Sequence, residues 1–196
     1  MASEITVREK ELIAKLKFPL YKYVLDVIRD GKPAPVQIRE IYQRNNSVAI
    51  ILYNLERRTV ILIRQFRLPA LLGGIAGGHL TEACAGTMED ETPERAIIRE
   101  TAEETGYHIS NPVKIAECFV SPGSCAEKIS LFIAPYSTEN RLTAGGGLKQ
   151  EGEDIEVIEV PFEELSIQML RGEIADAKTL ILLQHLEIHY FRSANI

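Results

Sequence analysis

Apolar residues in this chain come in short runs separated by turn residues, and β-forming side chains dominate the first third. Strands are predicted over residues 20–28 (LYKYVLDVI), 35–44 (PVQIREIYQR), 47–54 (SVAIILYN) and 59–66 (TVILIRQF). RDGK (29–32) and LERR (55–58) supply tight links between them. The runs VAIIL and VILI are almost wholly apolar, which fits strands covered on both faces. LLGGIAGGHL (71–80) reads as a flexible loop, because its paired glycines lack the strand-GxGxxG-helix context of a dinucleotide site. A helix then starts at Pro93 behind Thr92 as N-cap and stops at Gly106. Strands follow near 112–120 and 127–135, then a long loop at 137–154, a strand at 155–162 and short helical material at 163–171. A last helix at 176–191 has Asp176 as its N-cap. This order predicts an α+β fold, a mixed sandwich with helices against sheets.

The helix ending at Gly106 carries RETAEETGY, with Glu100, Glu103 and Glu104 inside five positions. At about 100° per residue their carboxylates share an arc roughly 100° wide. Ile98 and Ala102 fall opposite, where an apolar stripe is expected to face the core. Such a helix is ordinarily a solvated acidic face, since like charges at i,i+4 cost a few tenths of a kcal/mol, about 0.2–0.5 per pair. A bound divalent cation relieves that repulsion far better than the nearby Arg95 and Arg99 do.

Composition narrows the classes. The 196 residues, 45% of them hydrophobic, suffice for one substantial core, and 26% charged residues give no sign of bulk disorder. A net charge of −6 argues against a nucleic-acid polymer as main partner, because phosphate backbones recruit basic surfaces. The charged start MASEITVREKEL lacks a secretory apolar run, and no stretch is long and apolar enough to span a membrane. Cys84, Cys118 and Cys125 are odd in number and lack zinc spacing, so reduced thiols in a cytoplasm are expected. Cys84 has no nearby histidine to activate it and reads as a buried strand residue. His185 and His189 stand at i,i+4 without the HExxH order and read as helix surface.

The segment from Ala85 to Tyr107, AGTMEDETPERAIIRETAEETGY, resembles the signature of the Nudix hydrolases: a glycine, a glutamate, then Arg-Glu-apolar-x-Glu-Glu-x-Gly-apolar. The matching residues are Gly86, Glu91, Arg99, Glu100, Glu103, Glu104, Gly106 and Tyr107. Two departures are a Gly86–Glu91 gap one residue short and Thr101 in a position that is more often aliphatic. ILIRQFR before the box, SPG (121–123), AGGG (144–147) and GEDIEV (152–157) extend the similarity to the nucleotide-sugar and ADP-ribose pyrophosphatase branch.

That resemblance implies an α/β/α sandwich and a homodimer, with residues 1–44 a β-strand dimerisation region and 45–196 the hydrolase domain. It implies Mg2+-dependent hydrolysis of a nucleoside diphosphate sugar, with Mn2+ as a substitute ion. GDP-mannose, giving GMP and mannose 1-phosphate, is the first expectation; ADP-ribose, giving AMP and ribose 5-phosphate, is the rival. A non-catalytic regulator on the same fold is disfavoured, because the box glutamates are all present and no basic module is attached. The resemblance also implies a site. Glu100, Glu104 and the Ala85 carbonyl would hold metal, and Glu103 would ligate or position water. Arg99 would orient the box glutamates. Glu153 is the aligned late-loop ligand or base, with Glu151 the alternative. Arg67, Ala85, Gly86, Glu104, Glu127, Glu151 and Lys178 would contact substrate, and Arg39 and Glu40 would help form the partner's pocket.

Overall fold

The computed structural model describes residues 3–192, and they divide into two compact units, residues up to 46 with 119–128, and 47–118 with residues from 129 on. In the first, β1 (Ser3–Ala14), β2 (Leu20–Arg29) and β3 (Lys32–Tyr42) form an antiparallel sheet in chain order. Asp30 and Gly31 turn β2 into β3 at φ 50° and 74°, the pair of positive values that matches a two-residue hairpin to strand twist. Segment 119–128 is fastened to β3 where the Tyr42 N–H donates to the Ser124 carbonyl at 2.8 Å. The sequence pattern missed β1, whose charges interrupt its apolar residues.

The second unit is built on a seven-stranded sheet. Its main path runs β10 (Glu156–Pro161), β5 (Thr59–Phe66), β4 (Ser47–Asn54), β9 (Lys128–Pro135) and β8 (Val113–Phe119). Two short strands, β6 (His79–Glu82) and β7 (Cys84–Thr87), pair with β5 and β4 respectively. β4 and β9 are parallel, while β4 and β5 are antiparallel and joined by a turn in which the Asn54 side chain accepts from the Arg57 N–H. The two apolar runs are buried throughout, as expected.

Helices cover both faces. α2 (Pro93–Glu100) packs Ala96 and Ile97 against Ile50, Leu52 and Ile63. On the other face α3 (Phe162–Leu170) and α4 (Ala177–Leu186) pack Leu165, Leu182, Leu183 and Leu186 against Ala49, Ile51 and Leu62. This is a mixed α+β sandwich with a separate N-terminal sheet. The glycine-rich stretch expected to be loop is more ordered than that. It opens within α1 (Leu68–Leu72) and closes in β6.

Candidate active site on the acidic helix

The Thr92 side chain accepts from the Arg95 N–H and Pro93 occupies the first turn, so α2 begins as its sequence predicts. Beyond Glu100 it widens into a π turn, Thr101–Thr105, and ends at Gly106 with φ 76°. The Thr101 and Thr105 hydroxyls, both buried, donate back to the Ile97 and Thr101 carbonyls at 2.5 Å. The hydroxyl thus explains a threonine at the position where an aliphatic residue is commoner.

One expectation fails here. The buried arc holds Ala96, Ile97, Thr101, Glu104 and Thr105, whereas Ile98 and Ala102 are only half-buried. The acidic arc therefore overlaps the packed arc instead of opposing it. Glu104 is 2% exposed, and its carboxylate accepts from the Ala85 N–H at 3.0 Å. Glu100 lies against Gly86, where an added Cβ would stand 1.8 Å from the Glu100 carboxyl carbon. Any larger residue there would push the Glu100 carboxylate out of this position. Strand β7 is what supplies both contacts, since it pairs Ala85 with Ala49 and Gly86 with Val48 along β4.

Arg99 gathers the remaining acids. It contacts Glu91 at 2.7 Å, Glu100 at 2.9 Å and Glu103 at 3.0 Å. Burial raises the Glu100 carboxyl from 4.5 to about 7, against the pull of Arg99 and with repulsion from Glu103 and Glu153 adding to it. Burial likewise raises Glu104 to about 8, offset in part by bonds from Cys84 and Ala85 and reinforced by the charges of Glu100 and Glu153. Cys84 is itself buried, which pushes its thiol well above the usual range and leaves it a packing residue.

Glycines bring the late loop onto this helix end. Gly146 N–H donates to the Glu104 carbonyl at 2.8 Å and Gly147 N–H to the Glu103 carbonyl at 3.2 Å. A Cβ on Gly145 would meet the Glu104 carbonyl at 2.4 Å, so close backbone approach requires the glycine. The AGGG segment is thereby a docked cap on open helix carbonyls. Just beyond it, the Glu153 carboxylate accepts from the Leu148 N–H at 2.9 Å. Lys149–Glu151 forms a single turn, and the Glu151 side chain lies outside the described residues.

A second charged group adjoins β6. Arg67, at the end of β5, donates from Nε to Glu82 at 2.7 Å, and Lys178, in the first turn of α4, donates to the other Glu82 oxygen at 2.5 Å. Sequence reasoning named Arg67 and Lys178 and missed Glu82, which no spacing singles out. Arg39, Glu40 and Glu127 belong to the other compact unit. There Glu40 and Glu127 line a cavity of about 430 Å³, Glu127 pairs with Arg44 at 3.1 Å, and exposed Arg39 bonds Gln37 and the Ile38 carbonyl. His185 and His189 lie side by side with ring centres 4.5 Å apart and planes tilted by 42°.

The donor chemistry fits a divalent cation. Buried Glu104 has no salt-bridge partner among the described residues, and Glu100 and Glu153 stand close enough to raise its proton affinity. Hard oxygen donors of this kind suit Mg2+. Among the described residues no three His, Cys, Asp or Glu side chains are already gathered into a cage. A family model described as the NUDIX domain matches residues 43–183, and the chain belongs to that family. It is 45% identical to a GDP-mannose pyrophosphatase of Pectobacterium atrosepticum over 94% of this chain and 95% of that one. Proteins of the same name from Yersinia pestis (41%, covering 99% and 97%) and Yersinia enterocolitica (42%, covering 96% and 98%) are similarly related.

Proposed function

We propose that this protein hydrolyses the pyrophosphate bond of a nucleoside diphosphate sugar, with GDP-mannose as substrate and GMP and mannose 1-phosphate as products. The observation that carries the reading is the buried Glu104 beside Glu100, with no salt bridge of its own among the described residues, on a box that keeps all its glutamates. The near full-length similarity to three proteins named for GDP-mannose supports the choice of sugar nucleotide. Glu100, Glu104, Glu153 and the Ala85 carbonyl would hold Mg2+, or Mn2+ in its place. A metal there neutralises phosphate oxygens and lowers the pKa of bound water. Arg99 keeps the acids in place, Glu103 positions water, and Arg67 with Lys178 faces the phosphates. The late-loop role, metal ligand or base, falls to Glu153, with Glu151 as the alternative.

The N-terminal sheet, residues 1–44, would serve dimerisation and place Arg39 and Glu40 in the partner's pocket, with residues 45–196 as the catalytic domain. Support comes from Ile5, Val7, Leu12, Val36 and Ile38, all exposed on that sheet. The three cysteines are free, which supports a reducing cytoplasmic setting. The test is a panel of GDP-mannose, GDP-glucose, ADP-ribose and ADP-glucose with Mg2+, read by phosphate release after phosphatase coupling. Preference for GDP-mannose is expected. Preference for ADP-ribose would redirect the substrate, and a flat response would remove the nucleotide-sugar reading.

A further inference from the structure

Glu82 is 2% exposed and spends each carboxylate oxygen on a different cation, Arg67 from the end of β5 and Lys178 from the start of α4. Both cations have backbones fixed independently of it. Arg67 N–H donates to the Gly78 carbonyl at 2.8 Å, and Ala83 N–H donates to Thr179 Oγ at 2.7 Å, which ties α4 to the residue after Glu82. Asp176 caps α4 through the Thr179 N–H and reaches Lys178 at 3.0 Å. Glu82 therefore sets where the Arg67 side chain points and shares with Asp176 the placing of Lys178, more than where either backbone lies.

Arg67 gives Glu82 its Nε, and no hydrogen bond from its two terminal nitrogens is present among the described residues. A guanidinium held at one edge offers its other edge as a planar fork that matches phosphate oxygens, while an ammonium adds a point charge. Burial tends to strip the Arg67 charge, but the Glu82 bond and the charges of Glu82, Glu104 and Asp176 more than offset it. Glu82 also lies three residues before Ala85, whose N–H meets Glu104, so the cation pair and the acidic helix share one stretch of backbone.

We infer that Glu82 is a positioning residue that locks Arg67 and Lys178 into a paired clamp for the substrate's diphosphate. The inference rests on the reading that this site binds a nucleoside diphosphate sugar. Because such a clamp grips the diphosphate before and during bond breaking alike, its loss shows in KM more than kcat.

The test combines kinetics on GDP-mannose with calorimetric binding of GDP in the presence of Mg2+, for wild type, Glu82→Gln, Glu82→Asp and Arg67→Lys. Glu82→Gln is expected to raise KM about tenfold or more with kcat within about threefold, as for loss of a charge-assisted bond. Glu82→Asp, which keeps the charge but shortens its reach, should recover part of the loss and covers the case in which Glu82→Gln fails to fold. Adding Arg67→Lys to Glu82→Gln should cost little beyond the worse single change, because one acts through the other. Unchanged KM with only a lower Tm, or losses that multiply, would overturn the clamp. If wild type binds GDP but cleaves no sugar nucleotide, and Glu82→Gln still weakens GDP, the activity reading fails and the clamp stands. If wild type binds no GDP, the clamp fails too.

Discussion

The two sheets of this molecule obey opposite rules. The seven-stranded sheet buries Val48–Leu52 and Val60–Ile63 on both faces under helices. The three-stranded sheet has longer strands, yet of its apolar residues only Val27 is buried, and Ile5 and Ile38 are 60% and 55% exposed. Burial is worth roughly 25 cal/mol per Å² of apolar surface, so the seven-stranded sheet gains from its own helices while the three-stranded sheet has a use for a cover. The difference separates a sheet covered by its own helices from one whose apolar residues stay exposed, the sheet proposed above to serve dimerisation. Apolar patches that are contiguous and exposed commonly mark such surfaces.

The sharpest break lies inside the catalytic body. Glu104→Gln is expected to lower Mg2+-dependent hydrolysis by about 10³-fold or more, several kcal/mol of lost charge stabilisation, measured as kcat/KM. Its Tm without metal, measured above pH 8 where Glu104 is ionised, should hold or rise, since the change removes a buried charge facing Glu100. Wild-type turnover in that variant would take Glu104 out of the site.

Next in size is a backbone test. Gly145→Ala puts a Cβ against the Glu104 carbonyl at φ 71°, and should cost about 2–4 kcal/mol in chemical denaturation. A cost below about 0.5 kcal/mol would mean that the loop does not dock as described.

The association surface is probed by Ile5→Glu combined with Ile38→Glu. Sedimentation should find wild type as a dimer and the double variant as the 22.0 kDa species, with thermal unfolding of the catalytic body little changed. A wild type that sediments at 22.0 kDa would contradict the role given to this sheet.

The gentlest test is pH. Glu100 and Glu104 hold protons up to about 7 and 8, against 4.5 when unfolded, so across that window the folded protein binds more protons than the unfolded chain. Metal-free stability must then fall as pH rises from 4.5 through 8, and Tm scans should show it. Mg2+ needs the ionised forms, so its stabilising effect should grow over the same range.

Much of this was legible in the residues. β4 and β5 match the predicted runs 47–54 and 59–66, because unbroken β-branched stretches end in turn chemistry. Thr92, Pro93, Gly106 and Asp176 each sit at the helix end that their chemistry favours. What escaped depends on long-range contacts. Ile98 and Ala102 were assigned to the core on the assumption that charges face outward, but the glycine and bare N–H of β7 give Glu100 and Glu104 a place inside. The π turn changes the angular count after Glu100 and has no signature in propensity. Glu82 finds its partners 15 and 96 residues away, so nothing local marks it.

The central claim is that two inward-facing carboxylates on one helix end form a cation seat. Manganese EPR at pH 8.5 reads it without substrate, by the fraction of ion bound to wild type and to Glu104→Gln. The account predicts tight binding in wild type and most of the ion free in the variant; equal occupancy of both proteins would contradict it.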